Sequence, residues 1–432
     1  MTRSAPGRWA RLVDAVLDPQ PRTPAAARPA PPRAGIYLGW GRRGPVLAGP
    51  EHHALVLGPP RAGKTTRILV PSLRRHPGPA VVTSTKRDVL AATAAARSSL
   101  GTCWYWDPSG TTVPPPGARP LTWSPVVGCE RWDAAVARAH ILATAARPER
   151  TAGEAHWVER AEALLAPLLH AAAVGDSDLA AVLSWLHRRE LLPPASILAD
   201  RDARRAADLL EGVGHTDAKE LSGIFSTADS ILAAYRSDAA LESTRDPGFD
   251  ADLFAASTDT VYLVAPAATQ DLHAALVVAL LDQIRTATYR WHPRPPMLFA
   301  LDEVAQIAPL PDLAATLAEG GSQGLTILAC LQDLSQARAR WHAAADGFLT
   351  LFTHKLLLPG IADTATLEAV STLAGDIDVP MISRTTSGGL LGRSSTTRST
   401  QRRPRLPPDQ IAGLNPGTAL LVTGAAMRLV AT

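Results

Sequence analysis

Eight consecutive residues, Gly58-Pro59-Pro60-Arg61-Ala62-Gly63-Lys64-Thr65, fit the pattern G-x-x-x-x-G-K-[ST], a loop that holds the phosphates of ATP or GTP. Each fixed position has a chemical reason. Gly58 and Gly63 let the backbone curl so that its N–H groups point at phosphate oxygens. Lys64 reaches the β- and γ-phosphates, and Thr65 offers a hydroxyl to Mg2+. Pro59, Pro60, Arg61, Ala62 and the following Thr66 complete the expected binding loop. Only four of the 43 basic residues are lysines, Lys64, Lys86, Lys219 and Lys355. A lysine kept in a chain that otherwise uses arginine for its positive charge argues for a specific task.

A second cluster follows far downstream. Met297-Leu298-Phe299-Ala300-Leu301 is an apolar run that ends in Asp302-Glu303. A buried strand there delivers Asp302 to the metal shell, directly or through water, and leaves Glu303 to polarise the attacking water. Two adjacent acids point to a hydrolase rather than a GTPase-type switch. Thr326-Ile327-Leu328-Ala329-Cys330-Leu331 is another apolar run, with Gln332 at its tip. In a motor sheet the strand beside the Asp-Glu strand carries a γ-phosphate sensor, and Gln332 is placed for that role.

The elements that must position these groups can also be read. His53 to Leu57 reads as a short buried strand entering the loop, and Thr66 to Leu73 as the helix leaving it, its positive N-terminus facing the phosphates. Short apolar runs recur at Ala80 to Thr83, Cys103 to Trp106, Val261 to Val264, Met297 to Leu301, Thr326 to Leu331, Leu351 to Leu358 and Ala419 to Val422. They predict an α/β fold with a mainly parallel, helix-covered sheet. Leu272, Leu276, Leu280 and Ile284, four residues apart, predict a helix packed in the core. Between Gly128 and Asp250 strand signals give way to alanine-rich helical patterns such as Asp133 to Ala146 and His156 to Ala173. The expected division is a tail over 1–34, a nucleotide-binding part over 35–128, an inserted all-α domain over 129–250, and the second nucleotide-binding part over 251–432.

The 432 residues are 46% hydrophobic, enough for two domains or one domain with an insertion. No apolar run reaches the 18 or so residues of a membrane span; the longest uninterrupted one is Ala274 to Leu281. Nothing resembles a secretory signal. Cys103, Cys129 and Cys330 are far apart and lack metal-ligand spacing, so they read as buried thiols of a reducing cytosol. The net charge of +3 is unevenly distributed. Eight arginines face two acids in residues 1–50, and six arginines face none in residues 382–405. Such segments fit contacts with nucleic acid or acidic lipid, and equally solvated disorder. Pro19 to Pro32 reads as a linker. Before it, Trp9, Leu12, Val13, Val16 and Leu17 form the apolar stripe of a short helix suited to docking on a membrane partner or back on its own body.

The chain resembles the conjugative coupling proteins of type IV secretion, the TraG/TraD-like P-loop ATPases. The resemblance is carried by Leu57 to Thr66, by Ser84-Thr85-Lys86-Arg87-Asp88-Val89 and by Trp106-Asp107-Pro108-Ser109-Gly110. It continues in Leu301-Asp302-Glu303-Val304-Ala305-Gln306-Ile307-Ala308-Pro309-Leu310-Pro311, Gly320 to Gly324, Leu331 to Gln336 and Leu358 to Asp363. It spans about residues 36–430, and the run Asp302 to Pro311 is its most specific part. It implies a RecA-like motor with an inserted all-α domain, using ATP and Mg2+ and assembling as a ring, expected to be a hexamer. The implied partners are DNA or a relaxase–DNA complex and a separate membrane component, with the chain on the cytoplasmic side of the inner membrane. Relatives usually carry N-terminal membrane-spanning helices and often a trans-acting arginine or lysine after the Asp-Glu strand. This sequence has neither in the expected places, which leaves Arg338 and Arg340 as substitutes. Two other readings share the motor motifs: a cargo-docking module that ATP assembles, and a DNA pump of the FtsK/HerA kind.

Overall fold

The computed structural model describes residues 35–146, 152–386 and 394–432. The Trp9 to Leu17 stripe and the 19–32 linker lie outside the described residues. In chain order the strands are β1 (Tyr37–Gly41), β2 (Gly44–Leu47), β3 (Ala54–Leu57), β4 (Ala80–Ser84), β5 (Cys103–Trp106), β6 (Arg119–Pro120) and β7 (Thr260–Val264). They continue with β8 (Met297–Leu301), β9 (Leu325–Leu331), β10 (His354–Leu357), β11 (Asp376–Thr386), β12 (Ser394–Pro404), β13 (Thr418–Thr423) and β14 (Ala426–Ala431).

Twelve of them form one sheet in the order β2-β1-β14-β13-β10-β3-β9-β8-β4-β7-β5-β6. From β10 to β6 every pairing is parallel, while β13, β14, β1 and β2 add an antiparallel flank. The apolar runs are continuous rather than alternating because the parallel strands are buried on both faces. Successive residues therefore serve two cores. Leu55, Leu57, Phe299, Leu301, Ile327 and Leu331 point into one, and Ala54, Val56, Leu298, Ala300, Leu328 and Cys330 into the other. The second core is closed by Ile68, Leu73, Val89 and Leu90 from the helical segments after β3 and β4.

Among the described residues between β6 and β7, every regular element is helical, from Trp132–Ala146 and Ala152–Val174 to Ala251–Ala255. The fold is thus a parallel-sheet α/β body with an all-α insertion. The two are bolted together by Gln283 on the helix Gln270–Trp291, whose Oε1 accepts hydrogen bonds from Trp123 Nε1 at 2.7 Å and from the buried Arg138 Nη2 at 2.9 Å. Arg138 also stacks over the Trp123 ring at 5.1 Å. Within Gln270–Trp291, Leu276, Leu280 and Ile284 are fully buried, whereas Leu272 is exposed near the helix start. The three cysteines are buried and free. No helix of the described residues is long and apolar enough to cross a membrane.

One expectation needs correction. Residues 351–358 are not one strand. Phe348–Leu351 is helical and β10 begins only at His354, because Phe348 and Phe352 pack with Trp341 as an aromatic cluster with ring centroids 5.2 and 5.9 Å apart. The described residues of the arginine-rich stretch lie mostly in a two-stranded antiparallel ribbon of β11 and β12.

Candidate active site

The sequence motifs converge at the carboxyl ends of β3, β9, β8 and β4, the edge where ligands bind in parallel α/β sheets. Strand β9 runs between β3 and β8, with Leu331 paired to Leu57 and Ala329 to Leu301. Gly58 and Gln332 thus leave adjacent strand tips, and the Gly58 N–H donates to the Leu331 carbonyl at 3.2 Å. Gln332 is half-buried there, its N–H donating to Gln336 Oε1 at 2.8 Å.

The loop is held open by backbone that few residues adopt. Gly63 has φ 100° and Arg61 φ 64°, left-handed conformations favoured by glycine. A Cβ on Gly58 would stand 2.8 Å from Leu358 Cβ, so only glycine fits against the β10 end. Pro60 and Arg61 are exposed at the crown, Pro59 and Ala62 half-buried, and Thr66 exposed on the first turn. The chain then enters a wide turn, Lys64–Leu69, before the helix Val70–Arg75. Pro71, which has no N–H for the Arg67 carbonyl, lies just past that junction.

Lys64, 6% exposed, points back into the loop and donates from Nζ to the carbonyls of Gly58 at 2.6 Å and Pro59 at 3.3 Å. Thr65 Oγ1 donates to Asp302 Oδ2 at 2.7 Å, a contact between residues 237 apart in sequence. Asp302 is 8% exposed, and its Oδ1 is buried without a protein partner. Its backbone carbonyl accepts from Thr83 Oγ1 on β4 at 2.8 Å. Desolvation pushes the Asp302 carboxyl above the usual carboxylate range, against the opposing pull of the Thr65 hydroxyl and the Lys64 charge. Glu303 follows in a left-handed conformation, φ 48° and ψ 50°. Burial raises its pKa too, Lys64 opposing and Asp302 adding to the rise.

A buried carboxylate oxygen without a partner, a hydroxyl beside it and a nearby ammonium form a donor set that fits a divalent cation bound to a triphosphate. Cys330 is fully buried, and burial lifts its thiol well above the ordinary value. Arg338 on the helix Leu334–Trp341 is engaged within the subunit, its Nη2 2.9 Å from Asp363 Oδ2. Three contributors were not anticipated. Thr83, near the end of the largely apolar β4, anchors Asp302; Leu358 closes on Gly58. Asp363 accepts from Arg338 and from the Thr366 hydroxyl and N–H, while Thr366 Oγ1 accepts from Leu334 N–H at 3.0 Å. The first could have been suspected from its place in the sequence; the others depend on chain crossings that leave no local pattern.

The family model described as type IV secretory system conjugative DNA transfer matches residues 15–426. Two Escherichia coli proteins described as conjugal transfer protein TraG are each 26% identical, over 93% of this chain and 70% of theirs. Among solved structures, the bacterial conjugative coupling protein TrwB lacking its first 70 residues superposes with a TM-score of 0.67 at 18% identity, covering 98% of this chain and 90% of that one. TrwB in complex with ADP and Mg2+ gives 0.63 at 19% identity, over 88% and 84%.

Proposed function

The chain belongs to the type IV secretory system conjugative DNA transfer family, and from that membership and the site we propose that it is an ATP-hydrolysing coupling motor bringing DNA or a relaxase–DNA complex to a conjugation channel. The observation that carries the reading is the 2.7 Å bond from Thr65 to Asp302, which joins the two motifs of a nucleotide hydrolase around one buried carboxylate. The ADP and Mg2+ held by TrwB support ATP and Mg2+ as the cofactors.

In this reading bound ATP supplies the phosphoryl group, and its Mg2+ offsets the charge that develops. Lys64 exchanges the carbonyls of Gly58 and Pro59 for phosphate oxygens, alongside the N–H groups of Gly63 to Thr66. The Thr65 hydroxyl and Asp302 hold the cation. Glu303 accepts the proton of the attacking water, for which a raised pKa suits a base working near neutral pH. Gln332 senses the γ-phosphate from the strand between. The chain acts as a ring, a hexamer, at the inner face of the membrane beside a separate membrane component. Arg338 is tied to Asp363, which argues against it as the arginine offered to a neighbouring subunit.

The test is ATP turnover of the purified full chain with and without single- and double-stranded DNA, read beside the mass of the assembly. DNA is expected to stimulate turnover. Lys64→Ala is expected to lose nucleotide binding, and Glu303→Gln to keep binding while turnover falls roughly 10²- to 10⁴-fold. Wild-type turnover by Glu303→Gln would remove the base assignment. No stimulation by either DNA where the ring assembles would remove the DNA motor.

A further inference from the structure

We propose that the outward face of the β11–β12 ribbon is a contact surface for the phosphate backbone of nucleic acid. This rests on the DNA-motor reading and names a surface made of residues other than those of the hydrolytic site.

The second strand of the ribbon has nothing to bury. β12 reads Ser394-Ser395-Thr396-Thr397-Arg398-Ser399-Thr400-Gln401-Arg402-Arg403-Pro404, without one apolar side chain, so no hydrophobic core accounts for it. Its pairing is regular over the full length of both strands, from Asp376 opposite Pro404 to Thr386 opposite Ser394. Directly opposed residues share a face, which separates the ribbon into two sides. On one, Val379 is buried and Ile377 and Arg403 are half-buried at the root, while Met381, Ser399 and Gln401 are exposed. On the other, Asp376, Asp378, Pro380, Ile382, Arg398, Thr400, Arg402 and Pro404 are all exposed, Ile382 by 58%.

Charge along the outward face is graded. The acids Asp376 and Asp378 sit at the root, where Arg402 is 2.9 Å from Asp376. The arginines described on this face are Arg398 and Arg402, and residues 382–405 contain no acid. Arginine beside serine and threonine hydroxyls is the donor set that contacts phosphate oxygens. At about 3.3 Å per residue, strands of 11 residues reach roughly 36 Å, about one turn of a duplex. A two-stranded ribbon is also an element that a major groove admits. The exposed Arg402–Asp376 pair is no obstacle, because such surface pairs are worth little and exchange readily.

The root of the ribbon connects it to the nucleotide site. The Arg405 N–H donates to the Gly375 carbonyl at 2.8 Å, closing the base of the ribbon. Immediately before it runs the helix Thr364–Ala374, capped by Asp363. Arg338 binds Asp363 and the Leu334 N–H donates to Thr366 Oγ1, and both belong to the segment that follows Gln332.

The test measures binding of the full chain to fluorescein-labelled single- and double-stranded DNA by anisotropy from 50 to 200 mM salt. Arg398→Ala/Arg402→Ala is compared with Arg398→Lys/Arg402→Lys and with Arg188→Ala/Arg204→Ala on the helical insertion. Two lost phosphate contacts are expected to lower the slope of log affinity against log salt by about 2, and to weaken binding at 0.1 M salt roughly 10- to 60-fold. The lysine pair is expected to restore most of the slope and the distant pair to leave it unchanged. If the wild type binds DNA and the ribbon alanines match its slope, or the distant pair lowers it as much, the surface assignment falls. A ribbon variant that keeps DNA binding but changes assembly mass, or loses binding to phosphatidylglycerol vesicles, also overturns it, giving the face to a second copy or a membrane. If the wild type binds neither DNA, the DNA-motor reading itself fails.

Discussion

Replacing Asp302 by asparagine separates the fold from the chemistry, because the two should respond with opposite sign. Asp302 is almost fully buried, with Oδ2 occupied by the Thr65 hydroxyl and Oδ1 without a protein partner. Its pKa is raised chiefly by desolvation, so without nucleotide the charged side chain is held at a cost to the fold. Asparagine keeps the shape and an acceptor for Thr65 and removes the charge. A buried polar group left unpaired costs about 1–3 kcal/mol, and a charge more than an amide. The nucleotide-free variant is therefore expected to gain on the order of 1 kcal/mol, roughly 2 °C in melting midpoint for a chain of this size. The gain should shrink in acid. A carboxyl whose folded pKa lies above its unfolded one costs stability as pH rises through that range, and protonating wild-type Asp302 removes the same charge. With nucleotide the sign reverses. A ligand at 100 times its Kd stabilises by about 2.7 kcal/mol, and the Mg2+-dependent part of that increment should largely vanish with the carboxylate. Scanning fluorimetry with a non-hydrolysable ATP analogue, in Mg2+ and in EDTA, reads both effects. A nucleotide-free variant that melts several degrees lower and keeps the full Mg2+ increment would refute the reasoning.

Gly58→Ala pushes a methyl group to 2.8 Å from Leu358 Cβ; nucleotide affinity by titration calorimetry is expected to drop at least about tenfold, since the loop must shift by several tenths of an ångström. Arg97 is fully buried and donates to the carbonyls of His76, Gly78 and Thr258 and to Thr260 Oγ1. Arg97→Met, which strands those acceptors, is expected to cost about 3 kcal/mol by urea denaturation. Burial holds His53 and His354 down at about 4 against an ordinary 6.5; as pH falls the unfolded chain takes up these protons first, so stability should decline progressively from pH 6.5 towards 4, which urea midpoints at pH 7.5 and 5 would show. Asp363→Asn loosens the cap shared by Arg338 and Thr366; DNA stimulation of turnover is expected to fall severalfold with nucleotide affinity unchanged, and unaltered stimulation would show that this cap transmits nothing.

Much of the chemistry was local, and local chemistry is readable. Gly58, Gly63, Lys64 and Thr65 sit in one loop, so their spacing alone specifies a phosphate cradle. Asp302 and Gln332 each end an uninterrupted apolar run, the mark of strands buried on both faces. The all-α insertion announced itself because alanine-rich helical patterns replace such runs for more than a hundred residues. What the chain could not state locally was adjacency. That β9 lies between β3 and β8 follows from crossovers that leave no periodic trace, yet it sets Gln332 beside Gly58 and allows Thr65 to touch Asp302. The antiparallel flank β13-β14-β1-β2 joins the two ends of the described chain, a pairing no short window contains. The expected strand at 351–358 began as a helix because three aromatic rings pack there, and tertiary packing overrides local β preference. The arginine stretch, with almost no apolar residues to pattern it, took its ribbon form from backbone pairing. Residue types thus determine which groups are able to act, because chemistry resides in side chains. Strand order and burial decide which of them meet and at what charge, because desolvation and distance exist only once the chain is packed.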